Sequence, residues 1–501
     1  MGEAAVTAPR RATFTEVARA KADELLGADL RALAALRMGL GALVLGDLLT
    51  RLPDLRALYC DEGVLPRRLA MGLLGQWDLS LYFAGGSAPF TAALFAVHAL
   101  AALALSLGWR TRLSAVACWA LTVSLQNRNV LVLQGADDLL RVVLFWSLFV
   151  PLGARWSLDA RAAAKVEDAP PRRLLSPATA ALLLQVALMY WFTYAHKFGP
   201  DWETGSSVYQ ALAHDHFGRP WAQRLLLPHP ALLQFLARAV FAFELWGPTL
   251  LFFPLLVTPL RMLIVAGFWG LHLGMGATMD LAHFPFVSAV VMLPFLPSAV
   301  WDSIEPRLPA LSKLPKSITG ARAGWRPLLA PQLAVAVLFA AVFAWNVAGL
   351  ENASFEFPTL GGKAIGALGL EQKWNMFAPG PARDSGWFVM PGTLADQSEV
   401  DLVPALAGFT EAPAVSWDKP AGRSGRYGGV RWQDYLARLD EREDQDLFAE
   451  LGGYLCVEWN ARHQGERALE SVDLDYVDEP VGEPGEPRES TTRTLWQHSC
   501  I

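Results

Sequence analysis

The sequence predicts an integral membrane α-helical bundle of about eight spans plus a ninth, with a C-terminal soluble α+β domain rich in β-structure. Three observations predict it. Of 501 residues, 53% are hydrophobic and 18% charged, whereas a soluble domain carries roughly 25% charged residues. Charge is sparse between about 30 and 350 and dense beyond. Apolar runs near the ~20 residues needed to cross a bilayer recur through the sparse part.

The elements follow in order. Residues 1–30 are polar and amphipathic, with no apolar core of a cleavable signal, and form an N-terminal segment expected in the cytoplasm. Apolar spans are expected near 32–50, 90–109, 111–127, 138–153, 177–196, 231–257, 261–279 and 281–300, within a bundle of residues 31–305. A linker at 306–327 leads to a further span at 328–348. Helix is the state expected of each, because lipid offers no partner to an unpaired backbone group. The 138–153 span is short, and Gly247-Pro248 is expected to kink 231–257. With the N-terminus inside, the inner segments carry 18 Lys and Arg against 9 in the outer ones. That bias predicts a cytoplasmic N-terminus and an outward C-terminal domain, residues 349–501. In that domain "GWFVMPGTLADQSEVDLV" alternates as strands do, and "RWQDYLARLDEREDQDLFAELGGYLCVEWNARH" reads as one or two helices.

Net charge is −6 with no basic block beyond Arg pairs, which argues against a nucleic-acid partner. The partner expected is the lipid bilayer. Of the four cysteines, Cys118 lies in a span, while Cys60, Cys456 and Cys500 are expected outside, where a Cys60–Cys456 bridge would staple the first loop to the tail.

Ionisable groups in spans are costly and point to sites. Asp47 and Arg51 stand four apart and can pair, as can Asp137 or Asp138 with Arg141. Glu244 has no basic residue near it on its own helix face and must find a partner elsewhere or stay protonated. His272 is also midspan. "HDH" at 214–216 has ligand-like spacing but too few ligands for a metal site. "YAHKFGPDW" places Lys197 at the end of a span among aromatics. Two readings are open there. Lys197 can snorkel to the headgroups, or it can lose hydration and act as a base.

Four separated stretches, "RMGLGALVLGDLLTRLPDLRALYCDEGVLPRR", "PLGARWSLDA", "YAHKFGPDWETGSSV" and "HLGMGATMDLAHFPFV", together resemble the HTTM domain, the membrane region related to vitamin K-dependent gamma-glutamyl carboxylases. The resemblance covers about residues 25–305, and "QKWNMFAPGP" with "GWFVMPG" resembles the tail of bacterial members. It implies a bacterial inner-membrane location and a lysine base in a K-x-x-x-D-W-x-x-G setting. That base deprotonates reduced vitamin K, oxygen adds, and the strong base so formed removes a glutamate γ-proton before CO₂ is added. Lys197, Asp201, Trp202 and Gly205 match the setting, and His272 matches the histidine of an F-H-x-x-N motif. Met275 replaces that motif's asparagine, and Asp137 or Asp138 stands near where a further carboxylase histidine is expected. The enzyme expected is quinone-linked and lyase- or carboxylase-like, using reduced vitamin K or another quinone. Lys197 and His272 would be catalytic, and Glu244, Asp201 and Trp202 would bind substrate. The alternative is a non-enzymatic scaffold whose tail recruits a protein or peptide outside, through "KWNMFAP" unless those aromatics pack the tail onto the bundle. A transporter with a helix broken at Gly247-Pro248 is a third possibility.

Overall fold

In a computed structural model, residues 13–162, 172–308, 329–409, 411–420, 426–482, 486 and 488–500 are described. Most of the 306–327 linker and the start of the N-terminal segment lie outside them. Helix α1 spans Phe14–Leu26, with Thr13 and Glu16 closing a capping box. Each expected apolar run forms helix, and a short polar turn of helix, α7, follows α6: α2 (Leu30–Arg51), α3 (Ala88–Leu107), α4 (Thr111–Arg128), α5 (Gly135–Ser147), α6 (Pro177–His196), α7 (Pro200–Thr204), α8 (Pro230–Leu250), α9 (Val257–Thr278), α10 (Phe284–Val291) and α11 (Leu329–Ala348).

Fewer of these cross a membrane than the hydropathy pattern implied. Among the described residues five are long and apolar enough, and up to seven count if two bent pairs each form one span. The pairs are Pro220–Leu226 with α8, bent by 109°, and Phe284–Phe295 with Ser298–Arg307, bent by 103°. The 138–153 run yields only the 13-residue α5, buried among other helices, and α4 ends in the polar Gln126, Asn127 and Arg128. Nor does Gly247-Pro248 break its helix. Pro248 sits two residues before α8 ends at Leu250, and the sharp bend lies before Pro230. The discontinuous helix that a transporter would need is absent at that point.

Local chemistry fixes the ends. Ser176 caps α6, whose first residue is Pro177, and Gly199-Pro200 prevents its continuation. Gly41 lets α2 approach α3 closely, since a Cβ there would lie 2.6 Å from the Ala102 carbonyl oxygen. Arg37, fully buried, donates to the carbonyls of Leu105, Ser106 and Trp156, which replaces its lost hydration.

The C-terminal region holds a five-stranded antiparallel sheet: β1 (Gly386–Val389), β2 (Pro391–Leu394), β3 (Glu399–Asp401), β4 (Leu469–Asp478) and β5 (Thr491–Ser499). On β4, β1 pairs with residues 475–478 and β2 with 469–472, while β5 runs along 471–478. Helices α12 (Val430–Arg442) and α13 (Gln445–Asn460) complete it. Cys456 on α13 is bonded to Cys500, just past β5, and Cys60 is buried and free. The expected Cys60–Cys456 staple therefore does not form. Cys60 Sγ donates instead to the Leu55 carbonyl inside the first loop.

Helix α12 seats this domain on the bundle. Arg431 enters a cluster of buried charge, donating to Asp137 at 2.6 Å and to Asp47 at 3.0 Å, and also to the Val132 carbonyl. Arg51 bonds the same carboxylates, at 2.8 Å to Asp47 and 2.5 Å to Asp137. Two guanidiniums thus balance two carboxylates, which removes the need for a metal where Asp47, Asp137 and His283 converge. The expected Asp47–Arg51 pair forms, and Asp138 pairs with Arg141 at 2.9 Å. Beside the cluster, Trp432 Nε1 donates to Asp54 at 3.0 Å, and Tyr435 Oη to the Val64 carbonyl at 3.0 Å. Burial pushes the Asp54 carboxyl up, against the lowering effect of the Trp432 bond.

Candidate functional site

Lys197 is the residue at which α6 stops, so the helix delivers its side chain at the rim of the bundle. The amine does not snorkel. Only 5% of Lys197 is exposed, and its Nζ lies 2.6 Å from both carboxylate oxygens of Glu244, itself 7% exposed. The Trp202 ring lies 4.1 Å from the same nitrogen, a cation–π contact. Trp202 is held in turn by its indole Nε1, which donates to the Phe377 carbonyl at 2.9 Å, and by stacking on Phe241. The missing partner of Glu244 is thus the lysine 47 residues earlier.

A second pair lies two turns back along α6. Tyr190 is seven residues before Lys197, and its hydroxyl stands 2.7 Å from His272 Nε2 on α9. Tyr190 stacks on Phe268 with centroids 4.2 Å apart, and Phe243 tilts against Phe268 at 4.4 Å. His272 is buried with its Nδ1 unpartnered among the described residues, and Phe284 lies against its ring. No hydrogen bond joins the two pairs among the described residues.

Asp201 lies apart from the amine. Its carboxylate accepts from Arg383 and from Ser206, each at 2.7 Å, and so ties the α7 turn to the C-terminal domain. Gly205, at φ +87°, ends that turn in a backbone state that favours glycine. The side chains of the "HDH" stretch bond to protein groups. His214 Nε2 meets the Asp384 carbonyl, Nδ1 accepts from the His216 backbone, and Asp215 pairs with Lys419. The "KWNMFAP" aromatics pack rather than project: Trp374 is buried and bonds Gln372, which bonds Gln185 of α6.

Two pairings escaped the sequence reading. Tyr190 had a usable signal, its seven-residue spacing from Lys197 on one helix. Arg431 had none, because its carboxylate partner Asp137 is 294 residues away.

A bundle of long apolar helices with buried ion pairs, carrying a sheet-containing domain on one end, defines an integral multi-pass membrane protein. The HTTM domain matches residues 28–301, and the chain belongs to that family, whose domain is shared with vitamin K-dependent gamma-carboxylase. No curated protein and no solved structure matches the chain.

Proposed function

We propose that this HTTM protein is a membrane enzyme that moves a proton, with the Lys197–Glu244 pair as its base. The observation that carries the reading is the 2.6 Å double contact between a buried amine and a buried carboxylate. Burial and the carboxylate act on the amine in opposite directions. Passing the proton to Glu244 leaves a neutral amine and a neutral acid, so the pair reaches a basic state without creating net charge in an apolar medium. The substrate is apolar and carries an acidic proton. Reduced vitamin K or another quinone is the class implied by the family. One feature fits that class: His272 Nδ1 is a buried nitrogen with no partner among the described residues, set among aromatic rings, where a quinone oxygen would find a polar contact. Met275 fits carboxylation poorly, since a thioether cannot donate as an asparagine does. The reaction proposed is therefore proton abstraction from the reduced quinone, without glutamate as acceptor.

The N-terminus lies inside a bacterial inner membrane and the C-terminal domain outside. The Lys and Arg bias supports this, as does the Cys456–Cys500 disulfide, which suits an oxidising compartment.

The test is oxygen-dependent consumption of a reduced menaquinone by protein in lipid nanodiscs. Lys197→Ala and Lys197→Arg each lower the rate about 10²-fold or more, the usual contribution of a positioned base. Equal rates in all three proteins would remove Lys197 from the chemistry. A non-enzymatic scaffold is the second reading, favoured by one observation: Lys197 lines neither the cavity beside Trp345 and Phe357 nor the cleft beside α12. A wild-type rate no higher than that of empty nanodiscs supports it.

A further inference from the structure

We infer that the cavity beside Trp345 and Phe357 holds the headgroup of a phospholipid that carries both a phosphate and a primary amine, as phosphatidylethanolamine does. The cavity lies at the C-terminal end of α11, with Trp345 and Ala348 of the last turn in its wall. The end of a spanning helix stands at headgroup depth. Among the five long apolar helices of the described residues, α11 is the one least covered by protein, so lipid must cover it. Leu333, Val337 and Phe343 are exposed along it. Acyl chains lie on that surface while the head occupies the cavity above. The volume is about 630 Å³, inside the roughly 300–1,000 Å³ range of ligand sites. Phe357 stands edge-on to Trp345 with centroids 5.4 Å apart, and Phe355, 42% exposed, adds a further apolar group to the lining.

The charges decide which head fits. Glu351, Glu356 and Lys373 all line the cavity and are exposed. Their side chains have no ion-pair or hydrogen-bond partner among the described residues. Interfacial anchoring accounts for Trp345 and Lys373, but it gives no reason for two carboxylates around the same space. An amphoteric head answers both signs. Its phosphate takes the Lys373 ammonium, and its amine gives N–H bonds to Glu351 and Glu356, which as carboxylates only accept. The methylated nitrogen of choline has no N–H to give. An anionic head without an amine meets two carboxylates against one lysine and is repelled. The site does not depend on the Lys197 chemistry.

The experiment is native mass spectrometry of the full-length protein, stripped of lipid in detergent. It is then given equal amounts of phosphatidylethanolamine, phosphatidylcholine and phosphatidylglycerol with identical acyl chains. The wild type retains one phosphatidylethanolamine about tenfold in preference to either of the others, the effect of one good charge-assisted contact. Lys373→Glu removes the partner of the phosphate, and the pair Glu351→Gln with Glu356→Gln removes the charge that holds the ammonium. Each abolishes the preference. The pair Glu351→Lys with Glu356→Lys turns it toward phosphatidylglycerol. All three positions are exposed, so the variants keep the fold, which an unchanged thermal melting curve checks. Equal retention of the three lipids by the wild type overturns the inference. So does enrichment of phosphatidylcholine or phosphatidylglycerol on it, or a phosphatidylethanolamine preference that survives the substitutions.

Discussion

Removing one member of the Lys197–Glu244 pair strands the other charge in an apolar setting. Breaking a buried pair costs about 3–5 kcal/mol, so Glu244→Gln lowers unfolding stability by that order, read from denaturant titration in detergent. Replacing both residues with apolar ones, Lys197→Met with Glu244→Leu, recovers most of the loss, because no lone charge remains. It does not recover proton transfer, which separates the structural role of the pair from the chemical one. At this scale the sequence was informative about which residues are unusual and silent about who meets whom. Glu244 and Lys197 each stood out as charge in an apolar run. Their pairing depends on where α8 crosses α6, and periodicity along one helix carries no information about that crossing. Tyr190 Phe-substitution leaves the packing and removes the hydroxyl from His272, so Tyr190→Phe changes the proton-transfer rate with little change in stability.

Helix α12 is the element on which the two regions depend. Its amphipathic pattern was legible, as were the alternating strands after Gly386, because one face of each is buried. The membrane helices were legible too, but not their lengths. The 138–153 run is apolar because α5 is surrounded by protein, and hydropathy does not distinguish protein from lipid. The role of Arg431 was not legible, since an arginine at the start of a polar helix looks like solvated surface. Arg431→Ala leaves Asp47 and Asp137 to share one guanidinium. Hydrogen exchange across residues 430–442 then speeds up strongly, while exchange in α6 and α9 stays at wild-type levels. Unchanged exchange in α12 would show that Trp432 and Tyr435 seat it without the charge cluster.

For the whole molecule, the disulfide reports both pairing and location. Trypsin cuts after exposed arginines between Cys456 and Cys500 leave fragments joined until reductant is added, and no fragment containing Cys60 is linked to them. In vesicles that present the outer membrane face, trypsin added outside reaches these sites without lysis. Protection of the C-terminal domain in such vesicles would reverse the orientation. The bundle, the domain and the cleft between them form one arrangement in which α6 supplies Lys197 at the end where the domain sits.

The most direct test of the central claim is the infrared difference spectrum of wild type and Glu244→Gln as reduced menaquinone is added. If Lys197 takes the substrate proton after yielding its own to Glu244, a protonated-carboxyl C=O band appears in wild type. The same band is missing in Glu244→Gln and in Lys197→Ala. Bound quinone with the Glu244 carboxylate bands unchanged in wild type would contradict the account.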